Sequence, residues 1–280
     1  MLYSVLDLFL MFFIYGFFGW IMEVIYHGCL EKRFVNRGFL NGPICPVYGV
    51  GGIAVVLILT PLKWNPFLLF ICSSLITTTV EYVTGSVLEK MYHTRWWDYS
   101  DKKFNLHGHI CLAFSILWGF ICMFLMYVVQ PMLFDNFIQK LPDWVKIAAL
   151  IACAVPFMID LISTVNTLKH LNLNLARIDE VAKQMHNISD AIGMKVYGGA
   201  EMAMQRKEEL EQNEKVKELQ AELEARQKQL EKLGEEMSRR QKRIIKAFPT
   251  MKTQNYEEAL TKVREMINSR LPLKKIQKAE

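Results

Sequence analysis

The sequence lacks the usual marks of a soluble catalytic chain. Its six cysteines, Cys29, Cys45, Cys72, Cys111, Cys122 and Cys153, form no CxxC pair. That argues against a zinc ribbon, a redox motif or a disulfide framework, and they read as buried free thiols. No G-x-x-x-x-G-K-[ST] stretch occurs, so the chain is not itself a P-loop ATPase. The first apolar run starts at Leu2 with no basic residue before it. A secretory leader needs a positive n-region and a small-residue cleavage site, so this run reads as a retained span. Charge is scarce in the first part: residues 1–168 carry ten Lys/Arg and ten Asp/Glu, against 23 and 18 in residues 169–280. The net charge of +5 therefore comes from the second part alone, and the 52% apolar average describes neither part. Two regions follow: 1–168, a transmembrane helical domain, and 169–280, a solvated cytosolic helical tail.

What is present in 1–168 is long apolar runs. A helix needs about 20 mostly apolar residues to cross a bilayer core, and five segments qualify: Leu2–Tyr26, Ile44–Thr60, Phe67–Leu88, Ile110–Gln130 and Trp144–Val165. The second is short and glycine-rich (Gly49, Gly51, Gly52), which suits close packing on a neighbour; Pro156 lies inside the fifth. The expected fold is all-α, a polytopic bundle of about five spans. Basic residues in short loops mark the cytosolic side. Lys32, Arg33 and Arg37 lie in 27–43, and Lys90, Arg95, Lys102 and Lys103 in 89–109, while only Lys63, Lys140 and Lys146 lie in the other loops. This asymmetry predicts a multi-pass protein with its N-terminus outside and its C-terminus in the cytosol; the expected location is a bacterial cell membrane.

Shifted against itself by 66 positions, the chain matches without gaps. Gly19, Glu23, Tyr26, His27, Leu40, Gly42, Ile44 and Cys45 fall on Gly85, Glu89, Tyr92, His93, Leu106, Gly108, Ile110 and Cys111. Spans one–two and three–four then read as two copies of one hairpin in a parallel repeat, the fifth span standing alone. Folds of this kind place their site at the repeat interface. The candidate polar residues are Glu81, Glu23 and Glu89 within or at the ends of spans, and Arg37, Asn41, Trp97, Asp98 and Tyr99 in the loops between them. Glu81 is the sharpest, since an ionisable group inside a span faces a partner or a polar cavity; Thr77 and Thr78, one turn earlier, are candidate partners. Glu23 with His27 and Glu89 with His93, each at i, i+4, offer a two-metal alternative to which His107 and His109 could add ligands. The favoured reading has no metal and no cofactor, and no catalytic residue is assigned.

These residues resemble a family. Gly19-Trp20-x-x-Glu23, NRGFLNGPICPVYG at 36–49, Glu81–Glu89, WWDYS at 96–100, and Ser115 with Trp118-Gly119 are similar to the ABC-transporter type IV (CmpB-type) membrane proteins over roughly residues 8–165. The resemblance implies a permease-like component and, with no Walker A motif here, a separate ATPase as candidate partner. Substrate and mechanism are not implied.

In the tail, apolar residues recur at heptad spacing. Val216, Leu223, Leu230, Met237 and Ile244 occupy one series and Leu219, Arg226, Leu233 and Arg240 the other. The pattern predicts a coiled-coil-like helix capable of self-association through 216–244, ended by Pro249, with a second amphipathic helix around 256–267 folding back on it. The basic cluster Arg239, Arg240, Lys242, Arg243 and Lys246 reads as a solvated face or a contact with anionic lipid, not as a nucleic-acid site. Three function classes remain: a transporter or permease-like component with a polar site at the cytosolic side of the bundle; a membrane-embedded enzyme acting on lipid or lipid-linked substrate through Glu23, Glu89, His27, His93 and Asp98; and a non-catalytic assembly or sensor protein. The first is preferred, and enzymatic activity is the less favoured reading.

Overall fold

A computed structural model describes residues 3–32, 34–201 and 206–269; Leu2 and Arg33, used above for the first span and the charge bias, lie outside them. Two units make up the chain: Met1–Thr167 with Ile244–Lys252, and Leu168–Arg243 with Thr253–Glu280.

The first unit holds the apolar helices. With no water in a bilayer core, backbone polar groups must pair within the segment, and a helix does this. α1 (Val5–Glu31) starts at a reciprocal cap, Ser4 Oγ accepting from the Asp7 amide at 3.1 Å and Asp7 Oδ2 from the Ser4 amide at 2.9 Å. α2 (Pro46–Leu59) and α3 (Pro66–Tyr92) each begin on a proline, whose missing N–H costs nothing in a first turn. α4 (Leu112–Phe124) continues through π-helical turns at Leu125–Val129 and Pro131–Asp135. α5 (Asp143–Glu201) runs 59 residues and passes Pro156 without a break. Within this unit α1 packs mainly on α2 and α3 mainly on α4. Cys45 and Cys111, both buried and extended, immediately precede α2 and α4.

Four helices are long and apolar enough to cross a membrane: Val5–Glu31, Pro66–Tyr92, Leu112–Lys140 and Asp143–Met194. α2 is as apolar but has only 14 residues, about 21 Å at 1.5 Å per residue, short of a core of about 30 Å. Their outer faces carry Phe9, Phe18, Ile25, Leu75, Phe120, Phe124, Ile151 and Ile159, all exposed, as lipid contact requires. The thiols divide accordingly: Cys45, Cys111 and Cys122 are buried, whereas Cys29 and Cys153 are exposed, so the expectation of uniformly buried cysteines does not hold. Between α3 and α4, β1 (Thr94–Arg95) is followed by a small hairpin of β2 (Asn105–Leu106) and β3 (Ile110–Cys111). Its turn carries His107 at φ 52° and Gly108 at φ 72°, closed by the His109 amide on the Leu106 carbonyl at 3.1 Å.

In the second unit the later part of α5 buries Leu168, Leu171, Leu175 and Ile178 at helical spacing. Val181 and Ala182 form a core with Leu230 of α6 (Arg206–Glu236), and Met266 of α8 (Glu257–Ser269) packs against it. The second tail helix thus does fold back on the first. The heptad stripe is not one helix. It breaks at Ser238, which caps α7 (Arg239–Ala247) reciprocally with Gln241, at 3.2 and 2.8 Å. Leu230 and Met237 of the stripe are buried within the chain itself, and Arg240 is exposed.

Candidate functional site

One group of the spans' polar residues gathers between the later turns of α1 and α3 and the first turns of α2 and α4. On α1, Gly19 leaves a bare strip of backbone on which the Tyr48 side chain of α2 lies; a Cβ there would come within 2.2 Å of Tyr48 Cγ. One turn on, Glu23 Oε1 accepts from the Tyr48 hydroxyl at 2.6 Å. The glycine and the glutamate are therefore one device, the first admitting the tyrosine that the second holds.

Glu81 of α3 faces the same region. Its Oε1 accepts from the Tyr99 hydroxyl at 3.2 Å, while Oε2 is buried without a hydrogen-bond partner. Thr77 and Thr78 do not serve it: the Thr77 hydroxyl returns to the Ser73 carbonyl at 2.8 Å, as hydroxyls on helices commonly do, and Thr78 Oγ1 is itself unpartnered. Trp118 of α4 packs edge-on against Tyr48, ring centroids 5.5 Å apart, and its indole is a hydrogen-bond donor to the Glu81 carboxylate at longer range than Tyr99. Glu23 lies near enough to interact electrostatically with Glu81. Tyr99 is stacked on Phe114 at 4.9 Å; burial first, then the Glu81 charge, pushes its phenol well above the ordinary value, so it stays a donor. Arg37 comes from the α1–α2 loop. Its guanidinium interacts electrostatically with Glu23, Glu31, Tyr99 and Tyr48, and its Nε is buried without a hydrogen-bond partner. Two carboxylates, two neutral phenols and one guanidinium make a half-buried cluster in which acidic groups outnumber the one cation.

Around this pocket the loops are pinned. The Trp20 indole donates to Asn36 at 2.8 Å, and Asn36 donates to the Asn41 carbonyl at 2.8 Å. Asp160 of α5 holds the next turn through both oxygens, accepting from Asn41 Nδ2 at 2.9 Å and the Gly42 amide at 2.7 Å. In the second loop, Arg95 reaches both Glu89 oxygens at 3.3 Å and Asp98 at 3.5 Å, and His109 Nε2 meets Glu89 at 3.1 Å. Trp97 donates to the His109 carbonyl at 2.8 Å. Gly85 permits that approach, since a Cβ there would sit 2.9 Å from His109 Nδ1. Burial outweighs the neighbouring Glu89 and pushes His109 below its ordinary pKa. Asp98 is held well below the carboxylate range: burial alone would raise it, but hydrogen bonds from Lys252 and Ser100 prevail.

Of the residues singled out from sequence, Glu81, Glu23, Tyr99 and Arg37 thus belong to one cluster. Glu89, Trp97 and Asp98 form the adjoining loop cluster, and Asn41 anchors its loop on α5. The two Glu/His pairs are not equivalent. Glu23 meets His27 at 3.5 Å within one helix, but Glu89 turns to His109, and His93 is the exposed left-handed cap of α3. Among the described residues no group of three or more His, Cys, Asp or Glu side chains could hold a metal ion. Tyr48 and Asp160 were not singled out as site residues from sequence. Asp160 carried a signal, as an ionisable residue inside an apolar span; Tyr48 did not, because only its place opposite Gly19 gives it a role.

The residues that build this pocket and pin its loops fall within one family match. The family described as "Putative ABC-transporter type IV" matches residues 10–165. The chain belongs to this family. It is a multi-pass, transporter-like membrane protein. No curated protein and no solved structure matches it at a significant level. For this ABC-transporter type IV protein, the GWxxE segment supplies the Gly19–Glu23 device and the NRGF loop supplies Arg37 and its Asn36 clasp.

Proposed function

We propose that this protein is the permease-like membrane component of a transporter and that Glu81, with Glu23, Tyr48 and Tyr99, forms its ligand site. The ligand class is a proton, a small cation or the cationic group of a polar substrate. One observation carries the reading: Glu81 lies in a span beside a second carboxylate, approached by the Tyr99 hydroxyl and the Trp118 indole, and its buried Oε2 makes no well-formed hydrogen bond. A buried acceptor left open is costly, and a cationic ligand would satisfy it. In this reading α2 completes five spans, N-terminus outside and tail in the cytosol, and the repeated hairpins meet at the pocket. A separate ATPase supplies the energy, and the tail associates with it or with a second copy through 216–244.

The test is Glu81→Gln in purified full-length protein, with thermal melting followed against sodium, potassium, ammonium and spermidine. Wild type should be stabilised by one of these, by about 2.7 kcal/mol at a hundred times its dissociation constant, and the Gln variant should melt normally and not respond. For a proton, acid-driven uptake into proteoliposomes carrying a pH dye replaces melting. A Gln variant that responds as wild type does in both assays overturns the assignment. Outside labelling of a cysteine placed at residue 98 would overturn the orientation.

A further inference from the structure

The chain returns to this loop cluster once more, far along the sequence. Residues 244–252 belong to the first unit, although 154 residues separate Lys252 from Asp98 and 210 separate Ala247 from Arg37. The segment is buried like core: Ile244, Ile245, Ala247 and Met251 are 1–2% exposed. Three side-chain contacts hold it, in addition to the strand pairing of Lys252 with β1. Arg37 donates to the Ala247 carbonyl. Phe248 lies between Arg37 and Trp96, 5.2 Å below the guanidinium and 5.1 Å from the indole, edge-on. The Lys252 ammonium meets Asp98 at 2.6 Å. Trp96, itself 3% exposed, is backed by Phe39 at 5.2 Å and Tyr92 at 6.5 Å, so the receiving surface is a built aromatic wall flanked by a cation and an anion.

Arg37 gives this contact its meaning. It is the residue that faces Glu23, Tyr48 and Tyr99 on one side and grips the tail segment on the other. Covalently, the segment is the link between α7 and α8, so movement of either tail helix must act on it. We propose that residues 247–252 are a latch that closes the loop end of the Glu23–Glu81 pocket, with the Arg37/Trp96/Asp98 surface as its receptor. Release of the latch frees Arg37 and opens the pocket; docking of it closes the pocket. The latch rests on this geometry and not on the identity of the ligand, and would stand if Glu81→Gln kept its cation response.

The test uses full-length protein in membranes with Cys45 as its single cysteine. Cys45 is 5% exposed, interacts electrostatically with Glu23, and reports access to the pocket through a charged methanethiosulfonate reagent. Phe248→Ala and Lys252→Glu are compared with the conservative Phe248→Tyr and Lys252→Arg, and amide exchange of 244–252 is followed in parallel. Loss of the aromatic contact or reversal of the ion pair should raise both the exchange and the Cys45 labelling rate about tenfold, the change produced by about 1.4 kcal/mol of lost contact. The conservative variants should behave as wild type. Faster exchange with unchanged Cys45 labelling would show a docked segment that closes nothing, and unchanged exchange would show that these contacts do not hold it; either overturns the latch.

Discussion

Two buried polar networks occupy the same bundle, and they are built to opposite rules. Near the start of α1, Asp7 and Lys146 pair at 2.7 Å, both about 5–6% exposed, and Asp7 also takes the Ser4 amide. Beside them in the core, Gln130 accepts from Tyr15 and donates to Tyr3 at 3.3 Å. Every named group there has its partner. Along α3 and in the loops beside it, by contrast, Glu81 Oε2, Thr78 Oγ1, Ser74 Oγ, Arg37 Nε and His109 Nδ1 are buried without a hydrogen-bond partner. Satisfied networks fix how helices pack, whereas open groups hold energy that a ligand or a movement can use. The first network is therefore structural, and the second is the one proposed above as the ligand site.

Breaking the satisfied network should cost the most. Lys146→Met leaves Asp7 buried and uncompensated, and the expected loss is about 3–5 kcal/mol of stability, read by denaturant unfolding in detergent. Removing both charges in Asp7→Asn/Lys146→Met should recover much of it; a single variant as stable as wild type would erase the contrast. Gly19→Ala is next, because its Cβ overlaps the Tyr48 ring. Overpacking should cost about 1–3 kcal/mol and disturb the Tyr48–Glu23 bond, seen as a changed cation response.

Acid sharpens the comparison further. His109 has a folded pKa below its ordinary 6.5, so the unfolded chain binds the proton more readily. Its contribution to stability is complete above about 6.5 and is lost as pH falls through the depressed folded value, since protonated Nδ1 would be a buried donor without an acceptor. Melting temperature should fall below pH 6.5 in wild type and much less so in His109→Gln. Smallest of all in stability is Glu81→Gln, which exchanges one oxygen for an amide in an open site and should change unfolding by less than about 1 kcal/mol while removing the ligand response. A large stability loss there would move Glu81 into the structural class.

Much of the bundle was legible. Apolar runs of span length, proline at the starts of α2 and α3, and the ionisable Glu81 are local properties, and a bilayer leaves a continuous apolar run little choice but a helix. The tail was legible in its stripe and its return but not in its break. Ser238 and Gln241 cap α7 reciprocally, which ends α6 inside an otherwise continuous heptad pattern; the signal was present and was outweighed by periodicity. The self-match at 66 positions aligned Cys45 with Cys111, which precede α2 and α4, but the aligned Glu/His pairs differ, because α3 reaches its left-handed cap at His93 whereas α1 continues past His27 to Glu31.

By itself the sequence determined a membrane-spanning helical region followed by a charged helical tail, since hydropathy, helix period and breaker residues act over neighbouring positions. Only the tertiary structure decided that Tyr48 belongs to Glu23, Tyr99 to Glu81, Asp160 to Asn41 and Phe248 to Arg37 and Trp96. Those pairings span 18 to 211 positions in the chain. No local propensity encodes them; they follow from which helix faces meet, how close a glycine lets them come, and where the tail returns.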